Sequence, residues 1–414
     1  TVVVTLAAPG NATLGFLTSH ATTITDNDLP PVVQFDVAVS TVDESAGVVA
    51  VSLSLDAPSG LDIEVPFTVG GTAVDPDDYT VSGTPLLIPA GSVSTNLFLT
   101  VVDDSIDELL ETVILTLGTP VNAALGVNGV HAVRVNDNDL PPVVQFDLAG
   151  STVLESAGSH VFSISLDAVS GLDVTLPFTV GGTAIDPADF GIDASPLVIS
   201  AGAQSVLVNL SLVDDLLDEL DETVVVTLGV PGNATLGPLT SHTITIMDND
   251  LPPVVQFDLA SSTVLEGAGS HVFSISLDAV SGLDVTVPFT VGGTAVDPAD
   301  FGIDASPVVI PAGAQSALVN LSLIDDLLDE LDETVMVALG VPGNATLGPL
   351  TSHTTTITDN DLPPVVQFDL AGSTVLESAG SHVFSITLDA VSGLDVTLPF
   401  TVGGTAIDPA DFGI

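Results

Sequence analysis

The octapeptide LPPVVQFD occurs four times, with its phenylalanine at Phe35, Phe146, Phe257 and Phe368, so successive copies are 111 residues apart. That invariant period constrains the chain more than any other feature. Solenoid units run to roughly 20–50 residues, whereas about 100 residues is the size of a complete β-sandwich domain. The 414 residues therefore divide into a tandem array, with complete repeats at 32–142, 143–253 and 254–364. Residues 1–31 form the C-terminal part of a truncated repeat and residues 365–414 the N-terminal part of another. Thr1–Leu6 matches Thr223–Leu228, and Ile414 corresponds to Ile303. The chain reads as a window on a longer array, or as a subunit whose ends complete each other in a neighbour; either gives a fibre.

Within residues 143–253 apolar side chains alternate at period two: Phe162, Ile164 and Leu166; Val206, Val208, Leu210 and Leu212; Val224, Val226 and Leu228. Such alternation predicts strands buried on one face. VVQFD at the start, VTLPFTV around Phe178, PLVI around Val198 and TITI around Ile244 add further strands, separated by Gly, Pro, Asp and Ser turn signals. About seven strands per repeat is an immunoglobulin-like number. No segment has the spacing and composition of an amphipathic helix; DDLLDELDE is short, holds four aspartates and makes at most one turn. The predicted fold is all-β, a tandem array of immunoglobulin-like antiparallel β-sandwiches. Only LPP joins successive units, as at Leu251–Pro253, and two prolines favour an extended, semi-rigid path.

Charge sets the chemistry. Arg134 is the sole lysine or arginine against 54 carboxylates, a formal charge of -53. Self-repulsion on that scale is offset only by bound metal ions or high ionic strength. Nucleic-acid binding through a basic patch is excluded. Disorder is excluded as well, because 46% of residues are hydrophobic and the mean hydropathy is +0.61. With no cysteine, disulfides and thiolate metal sites cannot exist. No apolar run reaches the roughly 18 residues of a membrane-spanning helix, and no secretory leader is visible at Thr1.

In the second complete repeat the acids gather in four places: Glu155 in VLES, Asp186 and Asp189 in DPADF, the run Asp214–Glu222, and Asp248 with Asp250. All four lie near predicted strand ends and can converge on one pole of a sandwich. Clustered carboxylates without cationic side chains call for a divalent hard cation, and calcium accepts six to eight flexible oxygen ligands. Magnesium demands a tight octahedron, and zinc or copper prefers His or Cys.

VxES, then DPADF, then DDLLDELDETV, then a terminal DND resembles the Calx-beta domain, the calcium-binding module of sodium/calcium exchangers and bacterial surface proteins. The resemblance covers every complete repeat. It implies metal ligands at Glu44, Asp78, Asp103, Asp104, Glu108, Glu111, Asp137 and Asp139 in the first complete repeat. In the second they fall on Glu155, Asp189, Asp214, Asp215, Glu219, Glu222, Asp248 and Asp250. In the third they are Glu266, Asp300, Asp325, Asp326, Glu330, Glu333, Asp359 and Asp361, and the last partial repeat keeps Glu377 and Asp411. Each repeat departs from three successive aspartates by carrying Asn138, Asn249 or Asn360 in the middle.

Several other residues recur in register. His160, His271 and His382 form one set, and His20, His131, His242 and His353 another; both are expected at strand edges or in loops. NxS/T sequons stand at Asn11, Asn233 and Asn344 in loops, and at Asn209 and Asn320 within strand patterns. The loop sites are the candidates for glycosylation in a host that glycosylates. No GxSxG elbow is present, and no enzymatic activity is expected. The function expected is that of an extracellular or cell-surface calcium-stiffened filament or adhesin stalk, whose partners are calcium, neighbouring repeats and identical subunits. The alternative is a calcium-sensing or ligand-binding module of a cell-surface protein.

Overall fold

The computed structural model describes residues 1–414. The three complete repeats have the same architecture, so the second serves for all. Its strands are β1 (Val143–Phe146), β2 (Gly150–Leu154), β3 (Ser159–Leu166), β4 (Val174–Leu176), β5 (Phe178–Gly182) and β6 (Phe190–Ile192). They continue with β7 (Leu197–Ile199), β8 (Ser205–Leu212), β9 (Glu222–Leu228), β10 (Thr235–Leu236) and β11 (Ser241–Met247). One sheet has the order β6-β8-β3-β1-β10 and the other β2-β11-β9-β5, while β4 and β7 pair separately.

Burial follows the period-two pattern. Along β3 the side chains of Phe162, Ile164 and Leu166 are buried and those between them are not; along β8 the same holds for Val208, Leu210 and Leu212. The inward faces of both sheets merge into one core of 18 buried residues in this repeat, with separate cores of 19 and 17 in its neighbours. Each repeat thus buries its own apolar surface. Where β5 crosses β9, Gly182 has φ of 120°, and a Cβ there would lie 2.0 Å from the Thr223 carbonyl oxygen, so only glycine allows the strands to close.

The pairing is antiparallel except at one edge of each sheet, where β1 runs parallel to β10 and β2 parallel to β11. The second of these pairings places the C-terminal ends of β2 and β11 side by side. The acidic run between β8 and β9 forms no helix. The structure has more strands than the alternation alone suggests, because VTLPFTV splits into β4 and β5 at Pro177 and because β2, β6 and β10 are short. In the first complete repeat the divergent loop GTPVNAALGVNG keeps the same topology, with Ala124–Leu125 parallel to Val32–Val33. Residues 1–31 and 365–414 each contain one antiparallel strand pair. No helix is long and apolar enough to cross a membrane.

Candidate metal centre

Topology brings the acidic segments together. The parallel β2 and β11 deliver Glu155, which opens the short 3-10 turn Glu155–Ala157, next to Asp248–Asp250. Pairing of Phe190 with Leu212 places Asp189 beside the start of the acidic run, where Val213 N donates to Asp189 O at 2.9 Å. Pairing of Glu222 with Ile246 returns the end of that run to β11.

Two carboxylate clusters result. Glu155, Asp215 and Asp250 each place a ligand oxygen within 4.8 Å of the others, as do Glu44, Asp104 and Asp139 in the first complete repeat. In the third, Glu266 meets Asp359 and Asp361 within the same limit. The second cluster is Asp78, Glu108 and Glu111, again within 4.8 Å. Its counterparts Asp189, Glu219 and Glu222 line a cleft with Glu155, Asp215 and Asp248, and Asp300, Glu330 and Glu333 line one with Glu266 and Asp359. Asp137 lines the corresponding cleft in the first complete repeat. Each cleft encloses about 10 Å³, room for a single water-sized body.

Backbone amides aim these side chains. Ile185 N donates to Asp189 Oδ2 at 2.6 Å and Leu217 N to Asp215 Oδ1 at 2.7 Å. Asp104 N donates to Glu44 Oε1 at 3.0 Å, and Asp326 N to Glu266 Oε1 at 3.2 Å. Other oxygens are left without partners: Asp139 Oδ2, Glu155 Oε1, Asp250 Oδ2 and Asp361 Oδ2 are buried and accept no hydrogen bond. Burial, then the close approach of a neighbouring aspartate, pushes Glu111, Glu155, Glu222 and Glu333 up to about 7. The aspartate partners are Asp78, Asp250, Asp189 and Asp300 respectively. Four orphaned acceptors and like-charged groups within 4.8 Å are a set of hard oxygen donors lacking a positive charge.

Asp103, Asp214 and Asp325 stand apart from these clusters. Their Oδ1 atoms accept from Asn138, Asn249 and Asn360 Nδ2 at 3.4, 3.4 and 3.2 Å. The Oδ1 atoms of Asn249 and Asn360 in turn accept from Ser156 N and Gly267 N at 3.2 and 2.8 Å. The middle asparagine is therefore a brace between the acidic run and the 3-10 turn, a role that needs an amide donor and that an aspartate cannot fill. In the last partial repeat Glu377 opens a 3-10 turn and Asp411 Oδ2 accepts from Ile407 N at 2.7 Å.

The acidic run has another contact that the ligand pattern does not reveal. Asp218 forms a parallel bridge with Ser281 of the next repeat, and Gly282 N donates to Asp218 O at 3.1 Å. Ser281 is 1% exposed and Asp218 8%, so the contact is closed to water. A Cβ on Gly282 would lie 2.5 Å from Glu219 Oε1. Asp107 with Ser170–Gly171 and Asp329 with Ser392–Gly393 repeat the arrangement. The recurring SG in AVSGLD, 63 residues after the aspartate, was the available sequence signal.

The loop sequons are exposed, and each has its asparagine at positive φ: 61° at Asn11 and 58° at Asn233 and Asn344. Asn233 and Asn344 donate Nδ2, the atom a glycan would occupy, to Asp173 O and Asp284 O at 2.9 Å. The strand asparagines Asn209 and Asn320 lie within β8 and its counterpart in the third repeat. The histidines depart from expectation: His242 lies inside β11 and His160 inside β3, and His131, His242 and His353 are each 1% exposed. The apolar pattern on either side of them conceals a buried polar position.

Fold and site together define a tandem array of β-sandwich modules, each with paired carboxylate clusters at one pole. The chain belongs to the Calx-beta domain family, whose model matches residues 26–139, 137–250, 248–361 and 359–413. This is a family of non-enzymatic modules. Among curated proteins the chain is 25% identical over 380 residues to "Adhesion G-protein coupled receptor V1" of Danio rerio, covering 84% of the chain and 6% of that protein. It is 26% identical over 420 residues to "Extracellular matrix organizing protein FRAS1" of Mus musculus, covering 92% of the chain and 10% of that protein. The chain thus spans a small part of either relative. Solved structures similar to it include CBD12 from CALX1.2, at 19% identity and a TM-score of 0.26, over 52% of this chain and 98% of that one. The apo-form Calx CBD1 domain matches at 23% identity and a TM-score of 0.25, over 26% and 98%.

Proposed function

We propose that the chain is a calcium-stiffened structural array of the cell surface or extracellular space, a filament or adhesin stalk that acts as spacer or polymer. The observation that carries this reading is the shared use of the acidic run. One segment, Asp214–Glu222, supplies Asp215, Glu219 and Glu222 to the two carboxylate clusters and Asp218 to the joint with the next repeat.

The residues fit calcium. Every donor is a carboxylate oxygen, each repeat supplies several in two groups, and buried oxygens in each complete repeat lack any hydrogen-bond partner. A bound calcium ion supplies the positive charge that a chain with one arginine cannot. Glu155, Asp215 and Asp250 would hold one ion, and Asp189, Glu219 and Glu222 another. The chain's own part is to hold the run in one conformation, through Leu217 N on Asp215 and Asn249 on Asp214. A run so held presents Asp218 and Glu219 in the position that seats Ser281–Gly282. The adhesion-receptor and matrix-organizing names of the relatives support an extracellular setting.

The test is thermal unfolding and small-angle scattering of the whole chain in calcium, in magnesium and in chelator. Calcium is expected to raise the unfolding midpoint and extend the particle, and magnesium to do little of either. Equal midpoints and equal dimensions in calcium and chelator would refute the proposal.

A further inference from the structure

A second polar constellation lies between the sheets, away from the acidic pole. In the second complete repeat Ser151 Oγ is 2.8 Å from His160 Nε2 and 2.9 Å from His242 Nε2. His242 Nδ1 is 2.8 Å from the Leu148 carbonyl oxygen. The third repeat reproduces all three contacts with Ser262, His271, His353 and Leu259, at 2.8, 2.9 and 2.8 Å. The first complete repeat keeps Ser40, His131 and the Val37 carbonyl, but has Val49 in the place of His160.

The hydrogen positions follow from the partners. A carbonyl only accepts, so His242 Nδ1 carries a proton, and the neutral ring has a bare Nε2. Ser151 must then donate to that Nε2, which leaves Ser151 Oγ as the acceptor for His160 Nε2–H. Ser151 and His242 belong to one sheet and His160 to the other, so the chain of three bonds spans the sandwich. The His242 ring also stacks on Phe162 of the opposite sheet, with centroids 4.7 Å apart and planes at 14°.

We propose that this serine-bridged histidine pair is an acid-sensitive fastener between the two sheets of the second and third complete repeats, and that the first complete repeat lacks it. A proton on His242 turns Nε2 into a donor. Ser151 must rotate its own hydrogen away, and both rings then donate to one oxygen. Protonating both rings sets two positive charges across a single hydroxyl in an interior position.

The surroundings offer little compensation. Asp147 after β1 is the one carboxylate lining the cavity of about 150 Å³ beside the pair, and it accepts from the Ser163 and Ser165 hydroxyls. The cross-strand partners are uncharged: Leu210 of β8 faces His160, and Val226 of β9 faces His242. Burial, then the His242 imidazole, holds His160 below the usual histidine range, and His271 is lowered in the same way by burial and His353. A base whose folded value is depressed binds its proton more readily once the fastener opens. The stabilising contribution is complete above the ordinary value of 6.5 and is lost as pH falls toward the depressed folded value. The cavity gives protons a path to the pair.

Amide exchange of the whole chain, held in excess calcium and corrected for the intrinsic effect of pH, reads the fastener directly. Between pH 6.5 and 5.5, peptides from β3 and β11 should lose up to about fivefold more protection in the second and third repeats than their counterparts in the first, because a group of ordinary value 6.5 is already half protonated at the upper limit and one proton gives at most one decade per pH unit. The double variant H160V/H271V, which copies Val49, should abolish that excess. An excess that persists in the variant would assign the effect to the carboxylates, and equal losses in all three wild-type repeats would overturn the proposal outright. Carbon-detected titration of the histidines in the unaltered chain gives a second reading. Midpoints at or above 6.5 for His160 and His271 would also sink the fastener.

Discussion

At Asn360 one side chain joins two segments, accepting from Gly267 N at 2.8 Å and donating to Asp325 Oδ1 at 3.2 Å. Asn360→Asp keeps the acceptor, removes the donor and sets a second carboxylate against Asp325. In chelator the variant should be less stable than the parent by about 1 kcal/mol, the net worth of one such bond. In calcium the added oxygen is a hard donor, so the deficit should shrink or reverse. Denaturant unfolding in both buffers checks this, and an equal deficit in both would mean that Asn360 has no relation to the cation. Gly282 makes a complementary case. Its φ needs no glycine, but a Cβ would lie 2.6 Å from Glu219 Cγ, whereas Gly181 in β5 has nothing within 4 Å. Gly282→Ala should push Glu219 aside and weaken calcium binding by the second repeat about fivefold, equivalent to about 1 kcal/mol. Gly181→Ala should be silent in a calorimetric calcium titration of the same chain.

The strands show what a sequence of this kind reveals. Period-two alternation marks β3, β8 and β9 without ambiguity, because half-buried strands of seven or eight residues repeat their apolar face several times. The two- and three-residue strands β6 and β10 give no such periodicity; tertiary pairing with β8 and β1 creates them. Convergence of the acids was legible from their place at strand ends. The parallel pairing of β2 with β11, which brings Glu155 to Asp250, was not, because register between distant strands leaves no local trace. The loops at these strand ends also fix a pH dependence. Glu111, Glu155, Glu222 and Glu333 are raised from 4.5 to about 7 by burial and by the aspartates beside them. Their folded values exceed their unfolded ones, so without a cation the stability they lend is complete below about 4.5 and is lost as pH rises through 7. Calcium requires the ionised form and competes with the proton. Unfolding midpoints of the H160V/H271V chain, free of the histidine effect, should therefore rise on acidification from pH 7.5 to 5 in chelator and fall in calcium. Parallel slopes would show that the raised glutamates and the cation do not share a site.

Across the whole molecule two electrostatic terms act together, and salt separates them. A formal charge of -53 repels itself through solvent over a screening length of about 10 Å at 0.1 M salt and about 3 Å at 1 M. Sodium chloride should therefore raise the unfolding midpoint even in chelator, by relaxing repulsion between exposed acids on all repeats. The orphaned oxygens of Glu155, Asp250 and Asp361 are buried, out of reach of that atmosphere, and lie within 4.8 Å of other carboxylates. Screening leaves those clusters repelling one another, so the acidic run stays unsettled and the seats of Ser170, Ser281 and Ser392 stay loose. At a salt concentration chosen to match the calcium midpoint, scattering should still report a more flexible array than in calcium. If sodium chloride gave the same stiffness at the same midpoint, the carboxylates would be a solvated acidic surface and the joints would owe nothing to a bound ion.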